Sequence, residues 1–203
     1  MRTCPVCESS ERRVVVPEYM NFELYACCCG MHYVDSQDVS QRWFDGYYLS
    51  VYQTDDLPYS DKRLDSLAKC VMSYEPRHVL DIGGMDGELQ KRITAPCDVS
   101  GVLDGNDRKY DAVVLSHTLE HIYDMPAMMQ RIKCNLGNRL FIEVPVWTDY
   151  GDMTYDRHWQ HVNKFTVSNL EAMLIHYGFN IAQSVALPDY REYRTHRVIA
   201  WLR

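Results

Sequence analysis

A chain of 203 residues with 46% hydrophobic and 24% charged residues, ten glycines and eight prolines has the composition of a folded protein and excludes the disordered, collagenous and low-complexity classes. Its length has room for one domain of about 150 residues and a small appendage, not for two large domains. A formal charge of −7, from 21 basic and 28 acidic side chains, gives no general attraction for a phosphate backbone, so nucleic acid is not expected as the main partner. No apolar run approaches the ~20 residues of a membrane-spanning helix, and the opening residues Met1-Arg2-Thr3-Cys4-Pro5-Val6-Cys7 lack the apolar stretch of a secretory signal. The expectation is a cytoplasmic protein with no membrane partner. Its cysteines are then reduced, and their spacing is to be read for metal.

Five of the eight cysteines fall within the first 29 residues, as Cys4-Pro5-Val6-Cys7 and Cys27-Cys28-Cys29. Two thiolates separated by two residues reach one tetrahedral zinc ion, and a second pair completes its four ligands. Residues 13–16, 22–25 and 31–34 read as short strands. That is the outline of a zinc ribbon, with structural zinc on Cys4, Cys7, Cys27 and Cys29. Ala26 stands where Cys-x-x-Cys spacing would place the first cysteine of the second pair, and Cys28 competes with its neighbours as a ligand. Reduced thiols without metal are the alternative. Gly30 suits a backbone at positive φ, and the scattered Cys70, Cys97 and Cys134 read as small core residues.

The aromatic stretch from Trp43 to Tyr52 reads as packing surface between the ribbon and the next domain. Leu64, Leu67, Ala68, Val71 and Met72 keep helical spacing, and Pro76 closes that helix. The apolar run His78-Val79-Leu80-Asp81-Ile82, the turn Gly83-Gly84-Met85-Asp86-Gly87 and a predicted helix over 88–93 then form the opening of a nucleotide-binding α/β unit, with the ligand at the carboxyl end of the strand. Glycines admit ligand atoms close to the backbone, and a helix N-terminus presents unpaired N–H groups. Asp81, at the end of a buried strand, must find a donor.

Tyr110-Asp111-Ala112-Val113-Val114-Leu115-Ser116 reads as a buried strand, with His117-Thr118-Leu119-Glu120-His121 at its carboxyl end. Asp124 caps the next helix, Pro126 lies in its first turn, and Gly137 is its expected C-terminal cap. Its stripe of Met125, Met128, Met129, Ile132 and Leu136 is core rather than a metal box, because it keeps the helical period. Arg139-Leu140-Phe141-Ile142-Glu143-Val144-Pro145 is another strand. Asn163-Lys164-Phe165-Thr166 precedes a helix with Val167, Leu170, Met173, Leu174 and Tyr177 inward and Ser168-x-x-Glu171 as its capping box. Gly178-Phe179 begins a strand whose hairpin partner is 195–202. Strands alternating with helices predict an α/β fold with a doubly wound, mostly parallel Rossmann-like sheet. The expected divisions are a ribbon-like module at 1–37, an aromatic and helical connection at 38–75, and the main domain at 76–203.

Together these residues resemble the class I S-adenosylmethionine-dependent methyltransferases, and among them the small-molecule enzymes with an N-terminal zinc ribbon that include sugar C-methyltransferases. The resemblance runs over nearly the whole chain: the cysteine pairs, the Tyr47-Tyr48 to Tyr52 segment, Asp81 to Gly87, Tyr110 to His121, Phe141 to Pro145, and His161-Val162-Asn163-Lys164-Phe165-Thr166. The strand ending in Leu119-Glu120-His121 and the later His-x-Asn-x-Phe-Thr are its most specific parts. It implies S-adenosylmethionine as cofactor, held by Asp81, Gly83, Gly84, Asp86 and Gly87, with Ser116 and His117 beside it. Asp104 is the expected ribose partner, and Asp107 competes for that role. The implied partner is a small-molecule methyl acceptor, a sugar or glycan precursor. His121 and His161 are candidate bases, because imidazole titrates near neutral pH, and Glu120 orients a histidine or the substrate.

Three features depart from the family pattern. Met85 occupies the middle glycine of D-x-G-x-G-x-G, and Gln160 precedes His161 where related sugar enzymes tend to have Glu. The family also places two strands and two helices between the glycine turn and the strand at Tyr110, where this chain has only residues 96–109. Residues 97–103 read as a strand, yet five residues separate Asp104 from Tyr110, and a connection between parallel strands needs about a dozen. The expectation is that 97–103 is either not parallel to that strand or not in its sheet. These departures motivate an alternative, a degenerate methyltransferase fold kept as a binding or scaffold protein. A nucleotide-dependent oxidoreductase fits the glycine turn poorly, and the acidic balance opposes a nucleic-acid-reading ribbon.

Overall fold

The computed structural model describes residues 2–19, 22–36, 57–84, 87–101, 107–147, 161–187 and 194–203. The elements are β1 (Arg12–Tyr19), β2 (Phe22–Cys27), β3 (His32–Val34), α1 (Leu57–Met72), β4 (Val79–Ile82), β5 (Cys97–Ser100), β6 (Tyr110–Ser116), a 3₁₀ turn (Leu119–His121), α2 (Met125–Asn135), β7 (Leu136–Pro145), β8 (Asn163–Lys164), α3 (Val167–His176), β9 (Phe179–Ala186) and β10 (Thr195–Leu202). None of the described helices is long and apolar enough to cross a membrane.

The strongest apolar runs become the centre of a six-stranded sheet in the order β5-β4-β6-β7-β10-β9. β5, β4, β6 and β7 are parallel, and β10 is antiparallel to both β7 and β9. β4 is buried at all four positions, as expected of a parallel strand covered on both faces. Alternation along the strands splits the core in two. Leu80, Ile82, Val113, Leu115, Leu140 and Ile142 pack with α2, α3 and the ribbon residues Cys4, Val6, Met31 and Tyr33. Val79, Ala112, Val114, Phe141 and Ile199 pack with Leu64, Leu67, Ala68 and Val71 of α1 and with Leu89 and Ile93. The sheet is therefore doubly wound.

The α1 face also carries a buried ionic group. Glu143 on β7 is fully buried and accepts hydrogen bonds from Arg63 of α1 and, at 2.8 Å from Nε, from Arg197 of β10. Arg63 also donates to Ser116 at the end of β6.

β1, β2 and β3 form an antiparallel meander, and β8 joins it by pairing His32 with Lys164 and Tyr33 with Asn163. The second sheet thus runs β1-β2-β3-β8, so the chain returns to the ribbon after completing β7.

Five local expectations are corrected. Residues 97–100 are a strand of the main sheet and run parallel to β6, with β4 between them. Ser100 lies level with Leu115, so residues 101–109 need to recover only about 16 Å of strand rise and two strand spacings, within their extended reach of about 30 Å. Residues 88–92 form hydrogen-bonded turns rather than a regular helix, and Pro96 precedes the next strand. Gly137 does not cap α2, because Asn135 leads directly into β7. A Cβ at Gly137 would lie 2.9 Å from the Tyr110 carbonyl oxygen, so close strand approach is what requires glycine. α3 is capped two residues earlier than expected, by reciprocal bonds between Thr166 and Asn169. Cys134 is exposed, and Cys70 and Cys97 are only partly buried.

Glu143→Ala would leave two buried guanidinium groups without their anion. It is expected to remove about 3–5 kcal/mol of folding stability, measured by urea denaturation, whereas an apolar replacement of all three residues should recover most of it.

Candidate active site

The glycine turn at the end of β4 is shaped by steric need. Gly83 has φ +87° and Gly87 φ +66°, values that side chains disfavour. A Cβ at Gly84 would sit 2.0 Å from Asp81 Oδ2, and one at Gly83 would sit 2.5 Å from Thr118 Oγ1. The Asp81 carboxylate is thus folded directly beneath the turn, where it is almost fully buried. Gly83 N–H also donates to Ser100 O at 2.9 Å, extending the β4–β5 ladder. Backbone drawn tightly around a carboxylate suits the polar amino-acid end of a ligand such as S-adenosylmethionine.

A second loop arrives from β6, the neighbouring strand. Its first residue, His117, has φ +51°, an uncommon conformation for a residue with a Cβ and one concentrated at functional sites. His117 N–H is held by Glu143 O at 2.8 Å. Thr118 Oγ1 donates to Ile82 O at 3.2 Å, which fastens this loop to the end of β4. The 3₁₀ turn then presents Glu120 and His121, with 0% and 3% exposure, and His161 joins them from the segment before β8 with 8%. One ligand atom from each lies within 4.8 Å of the others. Glu120 Oε1 is 3.6 Å from His117 Nδ1 and 3.9 Å from His121 Nε2, and the His121 and His161 rings meet edge to face at 4.8 Å between centroids. A buried carboxylate among three imidazoles can hold, orient and pass a proton.

The structure therefore gathers Asp81, Gly83, Gly84, Gly87, Ser116, His117, Glu120, His121 and His161 at the carboxyl ends of β4, β6 and β7. Met85, Asp86, Asp104, Gln160 and the aromatic stretch at 43–52 lie outside the described residues. Arg63, Thr118, Glu143 and Arg197 are missing from the sequence-based candidates. Glu143 carried a readable signal, a charge inside Leu140-Phe141-Ile142-Glu143-Val144, since a buried charge requires a partner. The partners themselves, on α1 and β10, had none. A cavity of about 260 Å³ among Tyr74, Arg77, Asp111, Asn138 and Arg139 lies at the amino ends of β6 and β7, away from this constellation.

The four-cysteine cluster is a separate centre. Cys4, Cys7, Cys27 and Cys29 place their sulfurs within 4.8 Å of one another, with Cys4–Cys29 and Cys7–Cys27 each at 3.5 Å. Tetrahedral bonds of about 2.3 Å to zinc require sulfurs about 3.8 Å apart, so the set has the right size. Gly30 at φ +83° and Glu8 at φ +57° close the two knuckles. Burial pushes the Cys4 thiol up to about 12, so metal uptake would have to displace its proton.

Gly84→Ala is expected to drive the Asp81 side chain from its place and to cost about 1–3 kcal/mol. Removing the obstructing carboxylate in Asp81→Ala/Gly84→Ala should make the double variant more stable than the sum of the single changes, as read from a denaturation cycle.

Comparison with known proteins bears on this arrangement. Residues 59–184, more than half of the chain, match the sequence family described as a methyltransferase domain. No curated protein matches the chain by sequence. Among solved structures, the magnesium protoporphyrin IX methyltransferase of Synechocystis PCC 6803 with bound SAH superposes with a TM-score of 0.55 at 15% identity, covering 82% of this chain and 95% of that one. The N-methyltransferase NodS of Bradyrhizobium japonicum WM9 in complex with S-adenosyl-L-homocysteine gives 0.56 at 15% identity, over 82% and 97%. The mitomycin 7-O-methyltransferase MmcR gives 0.57 at 12% identity, over 70% and 53%. At such identities the superpositions speak for the fold, and the sequence-family match supplies the membership. The glycine turn, the sheet order and that match agree: the chain belongs to the class I S-adenosylmethionine-dependent methyltransferases.

Proposed function

We propose that this methyltransferase acts on a small polar molecule, a sugar or glycan precursor, with His121 and His161 as bases on the acceptor side and Glu120 as their orienting carboxylate. The observation that carries the reading is the buried Glu120, His121 and His161 set beside the glycine turn. Asp81, Gly83, Gly84 and Gly87 would hold the methionine part of the cofactor next to Ser116 and His117, with Asp86 and Asp104 as further contacts. When bound, the sulfonium supplies a methyl group that is already electrophilic. The chain's own task is then alignment, exclusion of water and removal of the acceptor proton. Buried imidazoles beside a carboxylate suit the last step, and a sugar acceptor is what the resemblance carried by His161-x-Asn163-x-Phe165-Thr166 implies. Free cysteines throughout the described residues accord with a cytoplasmic setting.

The test is transfer of labelled methyl groups to a panel of nucleotide-activated sugars, with amines and phenols as alternative acceptors. His121→Ala and His161→Ala are expected to lower kcat by about 10²–10⁴-fold while leaving cofactor affinity within a few-fold by calorimetry. Failure of the well-folded chain to bind either S-adenosylmethionine or its demethylated product would overturn the reading in favour of a scaffold role.

We also propose that Cys4, Cys7, Cys27 and Cys29 bind one structural zinc ion. Elemental analysis should find one zinc per chain, lost in Cys29→Ser and retained in Cys28→Ser. The reverse pattern would transfer the fourth ligand to Cys28.

A further inference from the structure

We propose that Arg2 is a positioning residue for methyl transfer: its guanidinium holds the turn bearing Glu120 and His121 against the segment bearing His161, and so makes the N-terminal ribbon part of the active site. The inference rests on the reading of those three residues given above.

Arg2 is buried, with 8% exposure. Its Nη1 donates to Val34 O at 3.0 Å and to Val162 O at 3.4 Å. Its Nη2 donates to Ile122 O at 3.2 Å and to Asn163 Oδ1. Ile122 directly follows His121, and Val162 directly follows His161. One planar group therefore fixes the backbone beside each candidate base, while its third anchor is the end of β3. Asn163 completes the junction by donating from Nδ2 to Leu119 O and Ile122 O, both at 2.7 Å, which clamps the 3₁₀ turn at both ends. The main chain of Arg2 is held in turn, since its N–H lies 3.2 Å from both Asp35 carboxylate oxygens. Asp35 also accepts from Arg12 at 2.8 Å and from Tyr123 OH at 2.7 Å. Two residues farther on, Cys4 belongs to the four-cysteine cluster.

Docking of the ribbon alone does not require this arrangement. Cys4, Val6, Met31 and Tyr33 already share an apolar core with Ile122, Met125 and Phe165. Burying a guanidinium costs desolvation, and what it adds is a rigid fork of five donors that can serve several acceptors at set angles. A lysine keeps the charge but offers one point. Its substitution separates positioning from charge.

The experiment compares Arg2→Lys with Arg13→Lys in the full, metal-loaded chain. Arg12 is no suitable control, because it donates to Asp35 and to the Arg2 carbonyl oxygen, whereas Arg13 is an exposed residue of the same strand. Arg2→Lys is expected to keep metal content and affinity for S-adenosylhomocysteine within about two-fold, with kcat lowered about 10- to 100-fold, the scale of an ångström-sized misplacement. Arg13→Lys should keep kcat within about two-fold, and added guanidinium should restore part of the activity of Arg2→Ala. Histidine ring resonances give a readout independent of turnover: those of His121 and His161, assigned by substitution, should move in Arg2→Lys and stay in Arg13→Lys. Unmoved resonances, an undiminished kcat in Arg2→Lys, or a loss of kcat that only follows loss of metal or folded protein would overturn the proposal. Absence of turnover in the unaltered chain is a different result. It would refute the activity assigned to the site and leave the resonances to decide the role of Arg2.

Discussion

Glu143 carries a charge at the carboxyl end of a central strand with none of its surface exposed, and an ion there persists only where other charges compensate for lost water. The compensation comes from Arg63 on α1 and Arg197 on β10, elements far apart in the chain. Meeting that requirement ties α1, β7 and β10 together, and through Arg63 it reaches Ser116 at the end of β6. The main-chain carbonyl of the same residue receives His117 N–H. One residue thus sets both the α1 face of the sheet and the start of the loop that bears the candidate acid–base groups.

The ribbon occupies the opposite face. Its underside enters the same apolar core as α2 and α3, and β8 enters its sheet. The segment from His161 to Thr166 consequently has several tasks within six residues. His161 faces the 3₁₀ turn, Asn163 bonds that turn, Phe165 is core, and Thr166 caps α3. A dense polar motif of this kind is explained by a junction as well as by chemistry.

Length also acts through geometry. The described ends of the connection from β5 to β6 are held by α2: Arg131 donates to Gly101 O and Ser100 Oγ, both at 2.7 Å, and Asn135 donates to Arg108 O at 2.9 Å. β5 can remain parallel because it is only four residues long. The rule that parallel strands need long connections scales with how much strand must be retraced.

Local signals were strong where local physics decides. Periodicity located β4, β6, β7 and the helices, and cysteine spacing located the four-sulfur cluster, because apolar alternation and short-loop closure act over a few residues. Within that cluster the fold brings Cys29 beside Cys4 and Cys27 beside Cys7, an arrangement that the spacing of Cys27, Cys28 and Cys29 did not fix. The turn glycines were visible by type, but the Asp81 and Thr118 atoms that require them were not. Tertiary structure alone decided that Arg63 and Arg197 neutralise Glu143, that β5 joins the sheet as a parallel strand, and that Arg2 reaches Ile122 and Val162 across more than a hundred residues. Those pairings depend on where distant segments are brought by packing both faces of one sheet, and no local pattern in a sequence encodes which buried charge will meet which donor.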